Sequence, residues 1–244
     1  MIDIKNLDVK VWEKEIMNNI SLSFVTLKNY LVLGRNGSGK SSMTNFLMGN
    51  PVYEYQSGNI EIDGQNLLTL EADKRSNAGI FLSFQNVPEI IWVNLWEYLR
   101  IIYNNHLKNI SPNTPVLSPF VFKRFIKKFL TDLEIDEKFL SRDLNVGFSG
   151  GEKRKIELLQ ASLLEPKYII LDEIDSGLDV DAFKVVSGLI KKIDTQKNSI
   201  IVITHHFKII DYVNFDKVYV LKDGQLERSG GIELLEEIQQ KGFE

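Results

Sequence analysis

Residues 31–49 read LVLGRNGSGKSSMTNFLMG, and this stretch decides the fold. LVL is a short, wholly apolar strand pattern, Gly34 to Ser41 is a glycine-rich turn, and SSMTNFLM has helical spacing that stops at Gly49. The turn, Gly34-Arg35-Asn36-Gly37-Ser38-Gly39-Lys40-Ser41, matches G-x-x-x-x-G-K-[ST]. Its glycines let backbone N–H groups approach phosphate oxygens, and the helix that follows adds partial positive charge. Lys40 reaches the β- and γ-phosphates, and the Ser41 hydroxyl is placed to ligate Mg²⁺. Gly34, Asn36, Gly37, Ser38, Gly39, Lys40, Ser41 and Ser42 are therefore expected to hold a nucleoside triphosphate. An ordinary glycine turn would require neither the strand before it nor the helix after it.

Outward from this turn, residues 2–11 and 20–25 have strand patterns, and Asp63-Gly64 and Asp223-Gly224 are hairpin turn signals. GIFLSF (79–84), YIILDE (168–173) and SIIVITH (199–205) are further apolar strands, with helical spacing around 179–192 and in a last helix stopped by Gly242. This alternation predicts an α/β fold whose parallel-rich sheet is covered on both faces. From about residue 86 the character changes. NVPEIIWVNLWEYLRIIYNN and FVFKRFIKKFLTDL carry helical spacing, separate at the proline-rich SPNTPVLSP, and are followed by the helix GEKRKIELLQASLL. A helical insertion over 86–160 is expected, with 1–85 and 161–244 forming the α/β core.

Residues 172–179, DEIDSGLD, put four carboxylates at the end of an apolar strand. Such a cluster repels itself and loses hydration, so a metal, a cation or solvent must offset the cost. Beside a phosphate loop, the first carboxylate after an apolar strand holds Mg²⁺. Asp172 has that type and position, and Glu173 beside it is the expected general base for water.

Composition narrows the field. The chain has 244 residues and a net charge of -4, which argues against a nucleic-acid binder relying on bulk positive charge. No window approaches the roughly 18–20 apolar residues that span a bilayer, so no direct membrane insertion is expected. With no cysteine, disulfides and thiolate-ligated zinc or iron–sulfur sites within the chain are excluded.

Three more pieces follow in order: Gln85 at the end of GIFLSFQ, Phe148-Ser149-Gly150-Gly151-Glu152 at a helix start, and His205 after SIIVIT. With the phosphate loop, Asp172-Glu173 and Ser176-Gly177-Leu178-Asp179, the order resembles that of the ATP-binding cassette (ABC) ATPases, a P-loop NTPase superfamily. The resemblance implies one ABC ATPase domain over 1–244, with a RecA-like core, an antiparallel β subdomain and the helical subdomain. It implies ATP and Mg²⁺ as cofactors, with Ser41, Gln85 and Asp172 around the metal. Lys40, Gln85, Glu173 and His205 would be catalytic, His205 at the γ-phosphate. Ser149, Gly150 and Gly151 would contact nucleotide bound to an opposing subunit, and Ser176 to Asp179 would meet that subunit. Asp179 is also placed to cap the helix after it, and Asp175 to position the loop. Trp12 falls where the superfamily often stacks an aromatic on adenine; a packed or partly exposed tryptophan is the alternative.

Transporter cassettes usually read L-S-G-G-Q and D-E-P-T-S-G-L-D, whereas this chain reads FSGGE and DEIDSGLD. Together with GIFLSFQNVPEI, these variants resemble the SufC family, the soluble ATPases of SUF iron–sulfur cluster assembly. That implies SufB-like and SufD-like scaffold partners and transient ATP-dependent SufC–SufC pairing. The implied location is cytoplasmic, or a plastid-type organelle stroma had a targeting segment been removed. The ATPase subunit of a membrane transporter is the alternative. Arg35 stands where the phosphate loop usually has proline, Ser42 where it has threonine, and Ile91-Trp92-Val93 where the SufC family commonly has Pro-Gly-Val. Trp92 and Trp96 are candidate partner anchors, with packing inside the helical subdomain as the other reading. His206 is expected on the surface at a helix start.

Overall fold

The computed structural model describes residues 1–194, 197–205 and 207–242, so His206 lies outside the described residues. The first elements are β1 (Ile2–Val11), β2 (Lys14–Phe24), β3 (Tyr30–Leu33), α1 (Lys40–Leu47), β4 (Glu54–Ile62), β5 (Gln65–Asn66), α2 (Ala72–Asn77) and β6 (Ile80–Ser83). Next come β7 (Ile90–Asn94), α3 (Leu95–Ile110), α4 (Pro119–Asp132), β8 (Asp143–Leu144) and α5 (Gly150–Leu164). The remainder is β9 (Tyr168–Asp172), α6 (Val180–Ile193), β10 (Ser199–Ile203), β11 (Lys217–Lys222), β12 (Gln225–Gly230) and α7 (Ile232–Lys241).

Two compact units result. The first comprises Met1–Gln85, Pro166–Ser176 and Asp194–Glu244; the second comprises Asn86–Glu165 and Gly177–Ile193. Helix α6 thus groups with the helical segment, whereas the sequence pattern runs 161–244 together.

The first unit holds a six-stranded sheet in the order β12-β11-β3-β10-β9-β6. Strands β11, β3, β10, β9 and β6 are mutually parallel, and only β12 runs antiparallel to its neighbour. Every residue of β3, β9 and β10 is buried, which is why these strands read as unbroken apolar runs. A four-stranded sheet, β2-β1-β4-β5, is antiparallel throughout. An aromatic trio joins elements of the two sheets: Phe24 meets Tyr30 edge-on at 5.0 Å, and Tyr30 stacks on Tyr219 at 5.9 Å. The two phenols are satisfied as well. Tyr30 accepts from the Val25 N–H at 2.6 Å, and Tyr219 donates to the Ser23 carbonyl at 2.6 Å.

Two expectations change. The second strand begins at Lys14, not residue 20, because the pairing Val11↔Lys14 extends the β1–β2 hairpin across its polar half. Trp12 therefore sits in the two-residue hairpin turn at φ 54, the left-handed region such turns use. In the second unit, residues 90–94 are strand β7, not helix; β7 pairs antiparallel with β8. Helix α3 starts at Leu95, where the Asn94 side chain accepts from the Glu97 N–H.

Candidate active site

The turn between β3 and α1 is shaped by its glycines. Gly34 has φ 154, and a Cβ there would lie 2.3 Å from the Leu221 carbonyl oxygen. Gly39 ends the turn in the left-handed region at φ 98 and leaves α1 with no side-chain cap. No acidic residue occupies the first turn of α1, so no carboxylate of that turn competes with an anionic ligand for its N–H groups. Ser42 lies in that first turn. Asn36 and Gly37 are exposed at the crest, and Ser38 is buried. Arg35, Asn36 and Ser38 border a cleft of about 410 Å³ with Leu221, Lys222 and Glu227.

Lys40 is buried, and its ammonium is tethered back to the loop. Nζ donates to the Gly34 carbonyl at 2.7 Å and the Arg35 carbonyl at 3.0 Å. Burial lowers its pKa, while Glu173 and Asp172 act in the opposite sense.

Strand β9 delivers Asp172 to the same place. The Ser41 hydroxyl donates to Asp172 Oδ1 at 3.0 Å, and the Thr44 hydroxyl lies 3.4 Å from Oδ2. Asp172 is 2% exposed, and burial pushes its carboxyl up to about 6 against the pull of these hydroxyls. Among the described residues no cation forms an ion pair with it. A buried carboxylate beside a serine hydroxyl in the first turn of α1 fits Mg²⁺ bound chiefly by oxygen and phosphate. No group of three His, Cys, Asp or Glu side chains gathers as a metal cage among the described residues. A magnesium site completed by nucleotide and water needs none.

Glu173 follows at φ 46, a left-handed position for a residue with a side chain, and its N–H donates to the Ile203 carbonyl at 2.8 Å. Gln85 Nε2 donates to Glu173 Oε2, and His205 Nδ1 lies 3.5 Å from Oε1. Two residues distant in sequence thus converge on the Glu173 carboxylate. Asp175 accepts from the Thr204 hydroxyl at 2.8 Å, tying the loop after β9 to the end of β10. Sequence reading passed over Thr44 and Thr204. Thr44's signal was its place one helical turn beyond Lys40 and Ser41; Thr204 had none beyond adjacency to His205.

In the second unit, Ser149 caps α5 in a reciprocal box. Its hydroxyl accepts from the Glu152 N–H, and the Glu152 carboxylate accepts from the Ser149 N–H at 2.7 Å. The hydroxyl hydrogen remains available to donate. A Cβ on Gly150 would lie 3.3 Å from the Leu178 side chain, and one on Gly151 3.3 Å from that of Ala182, so the α5 start packs closely on the α6 start. Asp179 accepts from the Ala182 N–H at 2.8 Å and caps α6. The two tryptophans divide. Trp96 packs on Phe122 at 5.1 Å, whereas Trp92 is 90% exposed. Trp12 is 80% exposed, so it is not packed in the core.

The family model described as "ABC transporter" matches residues 17–176. A protein of Antithamnion sp. named "Probable ATP-dependent transporter ycf16" is 40% identical over 244 residues, covering 100% of this chain and 96% of that protein. "Probable ATP-dependent transporter SufC" of Escherichia coli is 37% identical, covering 100% and 97%. Among solved structures, the dimeric ATP-binding cassette MJ0796 bound to ADP and Pi superposes with a TM-score of 0.77 at 22% identity, covering 95% of this chain and 99% of that one.

Proposed function

The chain belongs to the ABC transporter family, whose members hydrolyse ATP, and from that premise we propose that it does so with Mg²⁺ to drive iron–sulfur cluster assembly on a SufB–SufD-type scaffold. The observation that carries the hydrolytic part is the convergence of Gln85 and His205 on Glu173, one residue beyond the buried Asp172. The iron–sulfur part rests on FSGGE and DEIDSGLD, and on full-length likeness to the SufC-named protein.

The residues have separable tasks. Lys40 and the N–H groups from Gly37 to Ser41 bind the β- and γ-phosphates, and Lys40 exchanges two carbonyl partners for phosphate oxygens. Ser41 and Asp172 would hold Mg²⁺, with Gln85 nearby; the ion supplies charge neutralisation on the phosphates. Glu173 Oε accepts a proton from the attacking water. Gln85 and His205 hold that carboxylate in position, and His205 would contact the γ-phosphate. Ser149, Gly150 and Gly151 form a second anion site that faces nucleotide on an opposing copy, so two chains pair around ATP. Trp12, exposed beside the antiparallel sheet, stacks on adenine only when a nucleotide is present.

Affinity purification of the tagged chain from its native cells, followed by mass spectrometry and ATPase assay of the complex, tests the assembly role. Co-purification of two soluble, cysteine-bearing scaffold proteins that accelerate ATP turnover supports it. Recovery of a polytopic membrane protein instead replaces it with the transporter role, leaving the ATPase chemistry in place.

A further inference from the structure

We propose that Arg142 is a positioning residue for the Ser149–Gly151 anion site: its guanidinium clamps the turn that aims the start of α5. The turn needs such a clamp. Asn145 lies in the left-handed region at φ 63, uncommon for a residue with a side chain, and Gly147 follows at φ 65. The turn's own backbone bonds are long, with Val146 N–H to the Asp143 carbonyl at 3.2 Å and Phe148 N–H to the Asn145 carbonyl at 3.3 Å.

Arg142 supplies what these bonds lack. Its Nη2 donates to the Val146 carbonyl at 2.8 Å and to the Gly147 carbonyl at 3.0 Å. Cζ of the same guanidinium lies over the Phe148 ring, 4.5 Å from its centroid, and over the Phe139 ring, 5.5 Å from its centroid. Phe139 and Phe148 meet edge-on at 4.9 Å, so the three side chains form one cation–π cluster. Phe148 is buried and directly precedes Ser149, so fixing its ring fixes the chain entering α5.

The anchor is itself rigid. Arg142 N–H donates to the Phe139 carbonyl at 3.0 Å, and its carbonyl accepts from Leu95 N–H at 2.9 Å. Among the described residues no carboxylate pairs with the guanidinium, so its donors and faces serve the turn and the two phenylalanines. A Cβ on Gly147 would lie 3.1 Å from Nη2, so a side chain there would press on the guanidinium. Both carbonyl bonds come from Nη2 alone, so a lysine ammonium could bond the carbonyls but would lack the delocalised, weakly hydrated guanidinium that also lies over two rings.

The consequence rests on the pairing reading above: Arg142 governs how well one chain receives nucleotide held by another, without touching its own phosphate loop. The test uses Glu173→Gln protein with and without Arg142→Ala or Arg142→Lys. Amide hydrogen exchange over residues 145–151 is the pairing-independent readout. Both Arg142 variants should exchange there at least about tenfold faster, as weakening of the cation–π contacts and the charge-assisted bonds implies, with β9 and β10 unchanged. Unaltered exchange at 145–151 overturns the proposal. ATP-induced dimerisation is then followed by light scattering. Glu173→Gln should dimerise, and the Arg142 double variants should need at least about tenfold more protein, with affinity for a fluorescent ATP analogue within about twofold. Equal dimerisation overturns the functional half. If Glu173→Gln protein never pairs, the pairing reading itself has failed, and the exchange result separates that failure from failure of the clamp.

Discussion

The Ser41 hydroxyl donates to Asp172 Oδ1 at 3.0 Å, joining the phosphate loop to the end of β9 across 131 residues of sequence. The bond stands in for part of a cation's role: a carboxylate this deeply buried has its charged form disfavoured, and two hydroxyls offset the cost only in part. Function here opposes stability.

Asp172→Asn should therefore stabilise the protein without metal or nucleotide while abolishing Mg²⁺-dependent hydrolysis. The folded carboxyl is raised from 3.8 to about 6, so the folded state binds more protons than the unfolded state between those values. Stability from this group is fully present below about pH 4 and is lost as pH rises through about 6, up to roughly 3 kcal/mol. Thermal melts of parent and variant across pH 4–8 should diverge, the variant gaining towards neutrality. A constant gap between the two curves would count against the assignment.

Glu173→Gln should bind ATP with near-native affinity and lose about 10²–10⁴-fold in turnover, the usual worth of a general base. The paired species should accumulate with ATP and dissolve when nucleotide is removed. Turnover at the parental rate would remove Glu173 from the chemistry.

Trp92→Ala and Trp96→Ala should separate docking from packing. Trp92 is 90% exposed, so its loss should shift stability by less than about 0.5 kcal/mol and lower recovery of the proposed scaffold partner. Trp96 packs on the buried Phe122, and its loss should cost about 2 kcal/mol. Denaturant melts and pull-down yields together decide; a large destabilisation by Trp92→Ala contradicts the division.

Arg75→Met should loosen the phosphate-loop helix from its far end. Arg75 is buried, donates through Nη1 to the Phe46 and Leu47 carbonyls at 2.8 and 3.0 Å, and through Nε to the Leu70 carbonyl at 2.8 Å. Methionine fills the space but leaves α1's last carbonyls with fewer donors, at a cost of about 2–4 kcal/mol. Chemical denaturation at neutral pH measures this, and a loss below about 0.5 kcal/mol would show that water replaces the guanidinium.

Local chemistry was legible in the sequence. Gly34 and Gly39 mark backbone that a Cβ would strain or crowd, and buried parallel strands must be apolar on both faces, so LVL, YIIL and SIIVI announced the sheet. Asp172 and Glu173 were visible because carboxylates at the end of such a strand need a reason. Residues 90–94 misled, since a short apolar run has no period that separates strand from helix. The first half of β2 was silent for a related reason: Ile16 and the buried Met17 are adjacent between polar residues and show no alternation.

What the sequence determined by itself was therefore the nucleotide chemistry, the parallel α/β core and the family, because each depends on residue types at fixed short spacings. Only the tertiary structure decided that Gln85 and His205 meet on Glu173, that Thr44 and Thr204 back the two loops, and that Arg142 grips the turn before Ser149. Those relationships join residues through space, where strand order and crossover geometry set distances that no spacing along the chain encodes.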